Sequence, residues 1–95
     1  MFIALMTYQK PLSEVDKHLA AHRDFLTSGY DKNYLIASGP QNPRTGGVLI
    51  SQLTDRAKLE DFLKDDPFLI NKIASYQIIE FTPVKHHPDF ARFIK

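Results

Sequence analysis

The first residues alternate as a strand covered on two sides does: Phe2, Ala4, Met6 and Tyr8 share one face and Ile3, Leu5 and Thr7 the other, with apolar side chains on both. Lys10-Pro11 ends that pattern, and the apolar period lengthens. Val15, Leu19, His22 and Leu26 recur at spacings of four, three and four, the stripe of an amphipathic helix. Ser13 followed by Asp16 resembles a capping box, so this helix is predicted from near Glu14 to near Gly29. Tyr30 to Asn33 is polar and turn-like, with Asn33 suited to the left-handed conformation. Tyr34 to Ser38 reads as a second strand. Gly39 to Gly47, with three Gly and two Pro in nine residues, is a long loop, and Val48 to Leu53 alternates as a third strand antiparallel to the second.

Thr54 is a suitable N-cap for a second helix starting at about Asp55, whose inward stripe is Leu59, Phe62, Leu63 and Asp66. Proline disfavours helical backbone in the residue before it, so Pro67 stops this helix at Asp66 and opens a short helical turn through about Lys72. Tyr76 to Thr82 is a fourth strand, ended by Pro83. Strand, helix, strand, strand, helix, strand is the α+β ferredoxin-like order, βαββαβ: two split right-handed crossovers giving a four-stranded antiparallel sheet with two helices on one face. Strands one and four are apolar on both faces, so the sheet face away from the helices needs a cover, and a face-to-face homodimer is expected. One domain is expected over residues 1–84, with a tail over 85–95 that packs its Phe90, Phe93 and Ile94 on the domain or on a partner.

Composition narrows the function classes. Ninety-five residues with 43% hydrophobic content, seven Phe and four Tyr support one modest core. Twelve basic and eleven acidic residues leave a net charge of +1, with no block of like charge, so a nucleic-acid partner or an anionic membrane surface is not expected. An RNA-binding module of this topology would need exposed aromatics on the third strand, and Gly47 to Gln52 has none. The chain has no Cys, which excludes disulfides and thiolate chemistry. Met1 to Tyr8 lacks a basic flank and is too short for a signal or a span; a soluble, cytoplasmic protein is the expectation.

The candidate chemistry lies in two polar residues on apolar stripes. His22 occupies a Leu-like position in the first helix and Asp66 an inward position at the end of the second, remote in the chain yet able to meet. A carboxylate beside an imidazole fixes its tautomer and favours its charged form, an arrangement suited to proton abstraction next to a carbonyl. Each residue also has a structural reading: His22 as a core histidine donating to a carbonyl, and Asp66 as a helix cap, with the option of one oxygen on a backbone N–H and the other on the imidazole. Asp65, one residue round the helix, should face solvent. Gly39 and the Gly46-Gly47 pair allow backbone near a ligand, and their N–H groups are candidate oxyanion donors, although turn geometry alone explains such glycines. Tyr8 and Ser38 offer hydroxyls from what should be neighbouring strand ends. His18 and His22, four apart, with His86 and His87 in the tail, form a rival metal set, but no Glu completes a zinc-protease pattern. Neither a metal nor a cofactor is expected.

Taken together, His22-Arg23, Ser38-Gly39-Pro40, Gly46-Gly47 and Asp66-Pro67-Phe68, in this order and spacing, resemble the YCII family of small dimeric α/β-barrel proteins across roughly Met1 to Val84. The resemblance implies a ferredoxin-like dimer similar to muconolactone isomerases, with a His and an Asp as active-site pair on His22 and Asp66. It also implies a small-molecule substrate and chemistry of the lyase, isomerase or dehalogenase kind. Asn33 departs from the family's usual Gly, and Ile73-Ala74 stands where Gly-Leu often follows the Asp-Pro motif. A non-catalytic, ligand-binding or accessory dimer is the alternative with the same pocket.

Overall fold

The computed structural model describes all residues from Met1 to Lys95. Strand β1 (Phe2–Tyr8) is followed by α1 (Leu12–Asp31), β2 (Leu35–Pro40), β3 (Gly46–Ser51), α2 (Arg56–Leu63), the short α3 (Pro67–Ile70), β4 (Ala74–Glu80) and a 3-10 helix over Pro88–Phe93. The four strands form one antiparallel sheet in the order β2-β3-β1-β4, the α+β ferredoxin-like arrangement. β1, apolar on both sides, lies inside the sheet, as its pattern predicts.

One sheet face and the helices build the core. Phe2, Ala4 and Met6 of β1 and Leu49 of β3 point to that face and pack with Val15 of α1, Leu59, Phe62 and Leu63 of α2, and Phe68 of α3. At Gly29 α1 packs tightly on its neighbours: a Cβ there would stand 2.7 Å from the Phe62 ring and 2.8 Å from Leu35. The opposite face, carrying Ile3, Leu5, Val48, Ile50 and Ile79, has no element over it, and Ile79 is 40% exposed. No helix is long and apolar enough to cross a membrane.

Several boundaries differ from the sequence reading. α1 begins at Leu12 rather than near Glu14, because the Pro11 carbonyl accepts from the Glu14 and Val15 amides; Ser13 forms no cap. Its far end runs past Gly29 to Asp31 and closes with Asn33 at φ 60°, the left-handed residue predicted there. Asp55, not Thr54, caps α2, its carboxylate accepting from the Ala57 amide at 2.9 Å. α2 stops at Leu63, three residues short of Asp66, where the Asp65 and Asp66 amides turn back onto Phe62 and Leu63. The loop between β2 and β3 is shorter than its Gly and Pro content suggests, since Gly39 and Pro40 continue β2 and Gly46 and Gly47 open β3.

Candidate active site

Asp66 is placed by the proline that follows it. Pro67 keeps Asp66 out of helical backbone, at φ −63° and ψ 125°, and the side chain folds back to accept from the Phe68 amide at 2.9 Å, capping α3. The carboxylate therefore points inward as a cap, not as the last residue of the α2 stripe. It is fully buried. The same Oδ1 accepts from His22 Nδ1 at 2.9 Å, and Oδ2 accepts from the Tyr76 hydroxyl at 2.6 Å. So one oxygen serves both the amide and the imidazole, and the second is held by a residue that the sequence reading did not select. Asp65 is exposed, as expected.

His22 is 5% exposed and is clamped from two directions. Asp66 holds its edge, and the Phe68 ring lies parallel to its face, with centroids 4.0 Å apart and planes 3° from parallel. The carboxylate accepts from all three neighbours, so the Nδ1 hydrogen is directed at Asp66 and the Nε2 lone pair is left over. Nε2 has no protein partner, yet no buried polar side-chain atom is left unsatisfied, so Nε2 keeps some accessible surface, and His22 lines the adjoining cavity. Burial, with the nearby Asp66 charge, drives the Tyr76 phenol well above its ordinary value, so that it remains a hydrogen-bond donor.

That cavity, of about 220 Å³, lies between α1 and the inner sheet face, and His22, Tyr8, Ser38, Gly39 and Gly47 all line it. Tyr8 and Ser38 belong to β1 and β2, which are separated by β3 and are not neighbours. They meet at one cavity because Gly47, paired with Met6 on one side and Pro40 on the other, raises no side chain between them. Ser38 Oγ is 2.6 Å from the Tyr30 hydroxyl, and Tyr8 packs edge-on against Phe68. Gly39 is opposite Val48, so its Cβ position faces the uncovered side of the sheet, where nothing lies within 4 Å, and only its backbone reaches the cavity. Gly46 is required by close approach: a Cβ there would stand 1.8 Å from the Met6 carbonyl oxygen. β3 is flanked on both sides, so the N–H groups of Gly46 and Gly47 lie in the plane of the sheet and are not aimed at the cavity as oxyanion donors.

Two cations lie in the cavity wall. Arg23, beside His22 on α1, and Arg44, in the β2–β3 loop, both line it. Arg44 donates to Asp16 at 2.7 Å, and its guanidinium stands 5.9 Å from the Tyr8 ring centre. A positive residue in a Gly-rich loop was the only trace of Arg44 in the sequence. Tyr76 left none, because finding it requires the β4 register. The metal set does not assemble: no group of three His, Asp or Glu side chains converges on one point, and His86 and His87 are exposed, His87 capping the 3-10 helix through the Asp89 amide.

Among solved structures, the fold is similar to that of 5-chloro-2-hydroxyhydroquinone dehydrochlorinase from Burkholderia phenoliruptrix AC1100 in complex with 2,5-dihydroxybenzoquinone. The two share 20% identity over 94% of this chain and 98% of that one, with a TM-score of 0.70. No protein of curated function matches the sequence. The model of the YCII-related domain matches residues 1–82, which include β1 to β4, His22 and Asp66, and the chain belongs to the YCII-related family.

Proposed function

We propose that this protein is an acid–base enzyme for a small oxygenated ring compound, of lyase, isomerase or dehalogenase type, in which His22 transfers the proton. The observation that carries the reading is the 2.9 Å bond between His22 Nδ1 and a fully buried Asp66, with His22 in the wall of a cavity. Asp66 acts through the ring: it fixes the tautomer and stabilises the imidazolium formed when Nε2 takes a proton. Tyr8 and Ser38 supply hydroxyl contacts at the same cavity, and the small floor at Gly47 leaves room for the ring. The dehydrochlorinase of similar fold supports a reaction in which a base removes a proton and a double bond forms as chloride leaves.

The test uses chlorinated hydroxyhydroquinones, with free chloride and quinone absorbance as readouts. His22→Gln and Asp66→Asn should each lower kcat by about 10²–10⁴-fold with the fold intact by circular dichroism. Turnover at the wild-type rate in either variant removes the acid–base role. Tight binding with no turnover in the wild type would leave a ligand-binding protein instead.

The uncovered sheet face supports a homodimer. Ile3, Leu5, Val48, Ile50 and Ile79 make it apolar across three strands, and a second copy laid face to face would bury it. In the same reading, residues 1–84 form the domain and the tail from Lys85 packs against it or its partner.

A further inference from the structure

The cavity beside His22 is charged on one side of the scale only. Arg23 and Arg44 are its two cations, and no Asp or Glu lines it. Arg23 takes part in no ion pair, and Arg44 has one, to Asp16 at the rim, which leaves most of its five donors unused. The remaining wall is largely apolar, with Leu19, Leu26 and Phe68 facing a space of about 220 Å³, below the usual size of a drug-sized ligand site and suited to one ring with its substituents.

The geometry points to a site for a monocyclic organic anion, a ring whose negatively charged oxygen pairs with Arg23 and Arg44 while His22 Nε2 addresses the ring itself. This deepens the acid–base reading and rests on it for the choice of cavity. A guanidinium offers a planar fork of donors to an enolate, phenolate or carboxylate, and two of them replace the backbone donors that the sheet withholds. In the free protein Asp16 competes for Arg44, so it opposes the ligand.

That competition supplies a test by sign. Equilibrium binding is measured by calorimetry with 2,5-dihydroxybenzoquinone, which is anionic at neutral pH, and with its neutral dimethyl ether. The anion should bind at least about tenfold more tightly than the ether, and Arg23→Gln and Arg44→Gln should each weaken it by about tenfold. Asp16→Asn should strengthen it severalfold. A merely structural Asp16–Arg44 bridge would make Arg44→Gln and Asp16→Asn act in the same direction, and that result overturns the proposal. So does an ether that binds as well as the anion, or no binding by either compound. Anion selectivity in a protein without turnover would support the anion site and remove the acid–base reading; turnover abolished by His22→Gln without anion selectivity would do the reverse.

Discussion

At the scale of single residues, Asp66 bears the heaviest demand, since its carboxylate accepts from His22, Phe68 and Tyr76 while fully buried. Asp66→Ala should therefore cost about 3–5 kcal/mol in denaturant unfolding, the range for removing one partner of a buried pair; a loss under about 1 kcal/mol would mean that the network does not hold the fold. Tyr76→Phe should cost about 1 kcal/mol at neutral pH. Its pH dependence has a definite sign. The folded phenol is raised above its ordinary 10.0, so its contribution is fully present below that pH and is lost as pH rises beyond it. An alkaline titration followed by phenolate absorbance should show one tyrosine ionising only as the protein unfolds, and Tyr76→Phe should lack that step. His22 was legible in the sequence because it interrupts an apolar stripe, and Asp66 because a carboxylate before Pro67 is a cap; the helical stripe on which Asp66 was also placed ends at Leu63. Tyr76 was not legible, because an inward Tyr on a strand looks like ordinary core until a carboxylate is found against its hydroxyl.

The secondary-structure elements show where local chemistry misleads. Both α1 and α3 close with a pair of nested backbone bonds around a left-handed residue: Tyr34 to Gly29 and Asn33 to Tyr30 in one, Ile73 to Phe68 and Lys72 to Leu69 in the other. Asn33 tolerates that conformation, whereas Lys72, at φ 57°, has no such advantage. Lys72→Gly should raise stability by about 1 kcal/mol, and Asn33→Gly should do less, as read by thermal or urea unfolding. Gly46→Ala should lower it by about 3 kcal/mol, because the new Cβ meets β1 backbone and no flexible side chain can yield. Asn33 was predictable from residue type. Lys72, the Pro11 start of α1 and the Asp55 cap were not, because each depends on which backbone groups the chain happens to bring within bonding distance.

For the molecule as a whole, element order alone was enough to give the sheet, since alternation marks strands, a 3.6-residue period marks helices, and few topologies accommodate their succession. What covers the outer sheet face is not contained in one chain's pattern. If a second copy does, light scattering after size exclusion should give twice the chain mass, and Val48→Lys should give a folded monomer, because a charge at the centre of that face cannot be buried unpaired. A wild-type monomer would remove the dimer. Gly39, whose Cβ position meets nothing within 4 Å, lies across from Val48 on this face and leaves open space beside it.

The Asp66 oxygen shared between a backbone amide and an imidazole has one more outcome. The group that aims the base also fastens the architecture, so a substitution there that removes its charge or its acceptors alters reactivity and stability together. New specificities must arise elsewhere, on the rim that carries Arg44 and Asp16, where a changed side chain alters which molecules enter and leaves the machinery behind them untouched.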